Sequence, residues 1–240
     1  LVMGKTAENL HDRYPAITKE RCDAFAVASQ NKLAKAYAEG KIQQDLVPVA
    51  TRNVEKGWGL ATADEPPRPG TTVEELAKLK TPFRAHGNVT AGNAAGLNDG
   101  ATACILASEE SAKELGLPVG MRLVDFAFVG VDPEVMGIGP VPATEKALER
   151  SGWSVADLGA VELNEAFATQ SLASMRRLGL DPETVNADGG AIALGHPLGS
   201  SGSRLVVTLL GRMEREGADR GLATMCVGVG QGSAMLVERV

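Results

Sequence analysis

Three short stretches in the second half of the sequence set a reactive side chain among glycines: "NEAF" at 164–167, "GHP" at 195–197 and "CVGVG" at 226–230. An imidazole clamped between a glycine and a proline is fixed in position, so His196 can take a proton from a thiol or hydroxyl at a defined point. A thiol followed by Gly-x-Gly has free backbone N–H groups close by, so Cys226 can move a proton where Gly228 holds an oxyanion. Asn164 adds an amide that can orient water or ligand. Taken singly, each has a plainer reading. Asn164 can cap the helix after it, His196 can be a satisfied core or surface histidine, and Cys226 can be an inert buried thiol. "GVGQG" is a poor dinucleotide fingerprint, because it joins two strands and opens no helix, and "GHPLGSSGS" lacks the lysine of a phosphate loop. A nucleotide-binding α/β domain therefore stays as a further reading.

These stretches need a frame that brings three separate turns together. From residue 119 the chain alternates between strand and helix patterns. "MRLVDFAFVGV" reads as a strand, "PATEKALERSG" as a helix, and "GAVELNEAFATQSLASMRRLG" as strand, turn and helix. "SRLVVTLLGRMEREG" reads as another helix, and "GLATMCVGVGQGSAMLVERV" as two strands about a glycine turn. The fold class is α/β, and ligands of such folds collect beyond strand ends near helix N-termini.

The first half reads less regularly. A helix capped by Thr18 carries Cys22, Phe25, Ala26, Leu33 and Tyr37 on one face and ends at Gly40. Cys22 falls mid-helix in this reading. Residues 46–69, rich in proline and glycine, form an irregular excursion, and Thr72 with Glu75 makes a capping box for a short helix through Leu79. "AAGLNDGATACILAS" reads as a turn and then a buried strand that includes Cys104. "SEESAKELG" is a short helix stopped by Gly116. The opening "LVMGKTAEN" shows neither an initiator methionine nor the start of a helix or strand, and reads as the continuation of something longer.

Composition excludes several classes. The 240 residues are 44% hydrophobic and 22% charged, as in ordinary globular protein, and the chain can bury a sizeable core. A net charge of −6 and 4% aromatic residues argue against a nucleic-acid surface. No apolar run is long enough to span a bilayer. Three cysteines far apart suggest neither a disulfide framework nor a zinc site, which favours a reducing, cytoplasmic setting.

Taken together, in this order and spacing, the motifs resemble the thiolase family. "NEAFA", "NADGGAIALGHPLGSSGSR" and "CVGVGQGSAM" match its C-terminal signatures, and "MGKTAEN", "VTAGNAAGLNDGA" and "VGVDPEVMGIGPVPA" match its middle. The resemblance runs through the whole chain. It implies a layered αβαβα fold, here its C-terminal half with an irregular loop domain. Residues 1–96 would be the loop domain covering CoA, 97–118 the end of the N-terminal α/β domain, and 119–240 the C-terminal catalytic domain. The implied reaction makes or cleaves the carbon–carbon bond of a 3-ketoacyl-CoA. Coenzyme A would be the co-substrate, with no permanently bound cofactor and no metal.

The roles carried over are specific. His196 would activate a cysteine nucleophile and donate to a thioester oxyanion, Asn164 would orient a water there, Cys226 would shuttle the α-proton, and the N–H of Gly228 would hold a second oxyanion. Arg68, Phe83, Ala91, Ala94, Ala95 and Leu97 would contact CoA, with Lys78, Lys80 and Arg84 making a locally basic stretch. Met3, Met136, Ala166 and Phe167 would border the acyl pocket. A homodimer or homotetramer is implied, with no nucleic acid and no membrane.

The departures matter as much. No "CxSG" nucleophile motif occurs in the 240 residues. The chain is thus expected to be inactive alone, with a non-catalytic half that binds CoA or a partner subunit as the alternative. Ala95 stands where some members carry a pantetheine-binding serine. Val2 stands where some biosynthetic members carry a histidine, which tilts the reading towards a degradative enzyme with a more apolar pocket.

Overall fold

The computed structural model describes residues 2–53, 57–118 and 120–240. Residues 1, 54–56 and 119, which include part of the expected excursion and the first residue of the expected C-terminal domain, lie outside them. The helices are α1 (Met3–Arg13), α2 (Lys19–Ala38), α3 (Val73–Ala77), α4 (Glu109–Leu115), α5 (Pro140–Ser151), α6 (Ala168–Leu178), α7 (Ala191–Leu194) and α8 (Ser201–Glu216). The strands are β1 (Val49–Asn53), β2 (Gly57–Ala61), β3 (Met121–Gly130), β4 (Ala160–Leu163), β5 (Arg220–Val227) and β6 (Gln231–Arg239).

One mixed sheet organises the second half, in the order β3-β6-β5-β4. β4 and β5 run parallel, while β6 is antiparallel to both β5 and β3. Leu163, Leu222 and Leu236 bury one face against α5 and α6, with Met175 and Leu178 reaching back from α6. On the other face Leu205, Leu209 and Met213 of α8 cover Ala160, Ala223 and Val237. Arg212, itself buried, ties α8 to the sheet through Glu162 Oε1 at 2.9 Å. The far side of α6 is covered in turn by α2, where Cys22 and Ala26, with Ile17 just ahead of the helix, meet Ala168 and Ala173. The result is a stack of α8, sheet, α5 with α6, then α1 with α2. Among the described residues no helix is long and apolar enough to cross a membrane.

The alternating pattern read from residue 119 onward matches the observed elements. Four readings of elements in the first half need correction. The opening does form a helix, α1. It has no side-chain cap, and its buried face mixes Ala7 and Leu10 with Thr6, Glu8 and His11, so no apolar period announces it. Residues 46–69 contain an antiparallel pair, β1 with β2, whose Val49, Trp58 and Leu60 are exposed, so no inside–outside alternation marks them. The helix after Thr72 ends at Ala77, short of Leu79. The stretch around Cys104 is not a buried strand: Cys104 is exposed, as are Ile105 (84%) and Leu106 (77%). A β-rich composition cannot make a strand without a neighbour to take its backbone groups, and no described strand pairs with this segment.

Two close contacts fix α1 and α5 in the stack. A Cβ on Gly232 in β6 would strike the backbone of Gly139 at the head of α5, and backbone cannot swing aside as a side chain can. Gly232→Ala should lower the urea midpoint by about 1–3 kcal/mol of stability, whereas Gly199→Ala, with nothing within 4 Å of the added carbon, should leave it nearly unchanged.

His11 joins α1 to α6. Its Nδ1 lies 2.6 Å from the carbonyl of Ile17 and its Nε2 2.7 Å from the hydroxyl of Thr169. Burial holds its pKa below the ordinary 6.5, against the raising influence of Glu8 and Asp12 and with the charge of Arg84. The unfolded chain therefore binds a proton here before the folded chain does. Stability from this group is complete above pH 6.5 and is lost as pH falls through the lowered folded value. Urea titrations across that window should show this slope, and His11→Gln should flatten it.

Candidate active site

Asn164 follows β4 directly. Its N–H donates to the carbonyl of Thr224 (3.0 Å) and its own carbonyl accepts from Gln170 Nε2 (3.1 Å). The backbone is thus fixed on both sides and the amide is free for other work. It does not cap α6. That N-terminus begins at Phe167, whose N–H is taken by Gln170 Oε1. The Asn164 amide instead meets His196, with Nδ2 3.3 Å from Nε2. Its Oδ1 is buried with no hydrogen-bond partner among the described residues, and such an atom usually marks a place where a water or ligand donates.

His196 sits between α7 and α8. Its N–H donates to the carbonyl of Gly96 (2.9 Å), and its Nδ1 lies 2.6 Å from Ser201 Oγ. Burial, and then the positive charge of Arg204, hold the ring pKa below 6.5, so the resting imidazole is neutral at pH 7. A neutral imidazole with one nitrogen facing the site can act as a base.

Cys226 closes β5. It is buried in an apolar cluster with Met136, Phe167, Val89 and Ala7, with Phe83, Ala94 and Ala166 packed around it. Burial pushes its thiol pKa up to about 12, so it rests as the protonated acid. The following turn carries Gly228, with Met3 Sδ 3.7 Å from where a Cβ would stand, and Val229 at φ 68°. A β-branched residue in that conformation is strained, so the surrounding structure pins this turn in place.

The expected contact residues divide. Phe83, Ala94, Met136, Ala166 and Phe167 gather around Cys226, and Met3 borders Gly228. The reason is a backbone seam: Ala95 N–H donates to Ala166 O (3.0 Å), Ala168 N–H to Asn93 O (2.9 Å), and Ala94 bridges Phe167. Arg68, Ala91 and Leu97 are exposed, and so are Lys78 and Lys80. The backbone of Arg68 is held by Gln30 Oε1 (2.9 Å), while Arg84 pairs with Asp12 (2.7 Å). Cys22 lies in the first turn of α2, not mid-helix, and burial raises its pKa to about 12 despite that position.

The most consequential residue escaped the sequence reading. Glu165 is buried and accepts from Ser29 Oγ (2.7 Å), Asn186 Nδ2 (2.8 Å) and the N–H of Ile192 (3.2 Å). Its carboxyl occupies the space a side chain on Gly190 would need. It links the residue beside Asn164 to the segment that leads into His196. Burial raises its pKa. The signal was present, an acidic residue inside an apolar turn, but a charge in sequence does not declare its donors.

Comparisons with known proteins show the family and the fold. Residues 117–239 match the family model for the thiolase C-terminal domain, and residues 1–110 the model for the thiolase N-terminal domain. The chain belongs to the thiolase family. It is 54% identical over 238 residues to an acetyl-CoA acetyltransferase of Pseudomonas aeruginosa, covering 99% of this chain and 60% of that protein. It is 52% identical over 240 residues to a beta-ketoadipyl-CoA thiolase of Pseudomonas knackmussii, covering 99% of this chain and 59% of that one. The structure superposes on the Bacillus anthracis acetyl-CoA acetyltransferase with a TM-score of 0.96 at 44% identity, over all of this chain and 60% of that one. It superposes on human mitochondrial 3-ketoacyl-CoA thiolase in complex with CoA with a TM-score of 0.91 at 39% identity, over all of this chain and 59% of that one. The thiolase chain thus spans about 60% of the length of these relatives.

Because Glu165 satisfies three donors at once, Glu165→Ala should cost roughly 3 kcal/mol, read from the urea midpoint. Glu165→Gln, which keeps the shape and one acceptor, should cost clearly less.

Proposed function

We propose that this chain supplies the base, the proton-shuttling thiol and the oxyanion-binding turn of a CoA-dependent acyltransferase that makes or cleaves the carbon–carbon bond of a 3-ketoacyl-CoA. The observation that carries this reading is the Asn164–His196 contact (3.3 Å), joined through β4 and β5 to the apolar cluster around Cys226. In the cleaving direction a cysteine thiol gives its proton to His196, and the thiolate attacks the 3-keto carbon. The oxyanion so formed takes a hydrogen bond from the imidazolium and from a water held by Asn164. Its collapse breaks the bond between C2 and C3, leaving the acyl group on sulfur and an enolate on the acetyl-CoA side. Gly228 N–H steadies that enolate oxygen and Cys226 gives its proton to C2. With its pKa raised to about 12 by burial, the resting thiol carries the proton this step needs. Acetyl-CoA leaves, the thiol of an incoming CoA returns its proton to the Cys226 thiolate, and its sulfur attacks the acyl-cysteine. The cysteine leaves as a thiolate that takes its proton back from the His196 imidazolium.

The attacking cysteine is the part we place outside these 240 residues. Cys22 is buried against Thr169, and Cys104 lies exposed in an irregular stretch ahead of α4. CoA would run along residues 1–96, the covering domain, past Phe83, Ala94 and Ala95, with Arg68, Ala91 and Leu97 reaching it from exposed positions. Residues 97–118 would belong to a second α/β unit and 119–240 to the catalytic one. Met3, Met136, Ala166 and Phe167 would border the acyl group, and Val2 leaves that entrance apolar. The names of the relatives, and the CoA bound to the human thiolase, support this substrate class. A homo-oligomer in the cytoplasm, working in fatty-acid metabolism, completes the reading. Phe126 and Phe128, exposed along β3, supply apolar surface for association.

The missing "CxSG" favours one second reading, a half-thiolase that binds CoA or a partner without turnover. The chain alone should bind CoA in calorimetry and cleave no acetoacetyl-CoA. Joined to a segment bearing the acyl-accepting cysteine, it should cleave, and His196→Ala should then lower kcat by about 10²–10⁴-fold and abolish the acyl-enzyme. Failure of the joined protein to cleave while still binding CoA would leave the half-thiolase reading standing.

A further inference from the structure

We infer that Ser201 is a positioning residue that sets the tautomer of His196, holding the proton on Nδ1 and leaving Nε2 bare towards Asn164. Ser201 is the first residue of α8 and is buried. Its Oγ lies 2.9 Å from the carbonyl of Pro197, four residues back, and 2.6 Å from His196 Nδ1. A carbonyl only accepts, so the single hydroxyl proton goes to Pro197 in the back-bond that serines in a helical turn adopt. The lone pairs of Oγ are then what Nδ1 meets, and Nδ1 must donate. A neutral imidazole has one N–H to give, so Nε2 carries the lone pair. The second contact agrees independently: Nε2 faces Asn164 Nδ2, a donor, at 3.3 Å. Gly96 O and Asn98 Oδ1 hold only the backbone N–H of His196, so Ser201 is the one described group bonded to Nδ1.

The consequence is chemical. Free histidine favours the proton on Nε2, the nitrogen that here would have to act as the base. In that form the ring would present a proton where it must receive one, and would turn a donor against the Asn164 amide. Ser201 reverses the preference. Its catalytic meaning rests on the base role proposed above, but the tautomer itself does not, and can be measured without CoA or turnover.

The sequence has three histidines, so long-range proton–nitrogen correlation on the ¹⁵N-histidine-labelled chain is tractable, with His196 assigned by the loss of its signals in His196→Asn. At neutral pH the His196 Nδ1 should give a protonated, pyrrole-type nitrogen shift and Nε2 an unprotonated, pyridine-type shift. Ser201→Ala should move His196 to a mixture dominated by the Nε2-protonated form, with the signals of His86 unchanged, and Ser201→Thr, which keeps the hydroxyl, should restore the original pattern. A wild-type spectrum with the proton on Nε2 overturns the inference, whether or not the variants fold. So does Ser201→Ala that folds, by its circular dichroism, and keeps the proton on Nδ1. If the tautomer is as inferred and the joined enzyme still fails to cleave, the fault lies with the proposed function and not with Ser201.

Discussion

The arrangement of this chain depends on one buried carboxylate. Glu165 stands in the turn after β4, with Asn164 on one side of it and the Ala166–Phe167 seam on the other, and it draws donors from α2, from Asn186 and from the start of α7. Burying a carboxyl group is expensive unless its acceptors are used. Here each donor belongs to a different element, so the cost of burial is offset only when all of them arrive in place. That makes the carboxylate a positional check: the loop leading to His196 cannot drift from the turn bearing Asn164 without leaving a buried oxygen unsatisfied.

The same logic recurs around the site. Glu8 of α1 accepts the N–H groups of Asn88 and Val89. Asn93 bridges Asp23 of α2 to the carbonyl of Asn88. These polar contacts hold the irregular stretch that runs along residues 166–168, and they explain how a segment with little regular structure keeps Ala94 and Phe83 against Cys226. Apolar burial supplies the bulk of the stability in such a stack. Hydrogen-bonded buried groups, being directional, decide where the loops stop.

What could be read from the residues follows this division. The elements from β3 to β6 show themselves through apolar period and glycine stops, because sheet and helix there bury clean faces: Leu205, Leu209 and Met213 on α8 fall at helical spacing. Asn164, His196 and Cys226 were legible because glycine-flanked reactive side chains are uncommon and the three occur in a recognisable order. α1 was not legible, since Thr6, Glu8 and His11 occupy its buried face and mimic a surface pattern. The β1–β2 pair was hidden for the opposite reason, its apolar residues facing outward. The exposed run at Ile105 and Leu106 shows the limit of local composition, which can announce a strand but cannot supply the neighbour it needs. Glu165 was invisible because its donors are brought close only by the fold, and Ser201 because residue type alone does not say which way a serine hydroxyl turns at the start of a helix.

The main-chain contact between Gly139 and Gly232 has an implication for how the apolar cluster can respond to what enters it. Met136 precedes Gly139 by three residues, and a junction of main chain against main chain has no rotamers with which to give way. That wall can alter its side chain but not its location. Phe83, by contrast, comes from an irregular segment, and its ring lies on Gly4 of α1. Room for a larger group is therefore made by turning side chains such as Phe83 and not by moving the backbone behind Met136, so one part of the cluster is an anvil and the other a cushion.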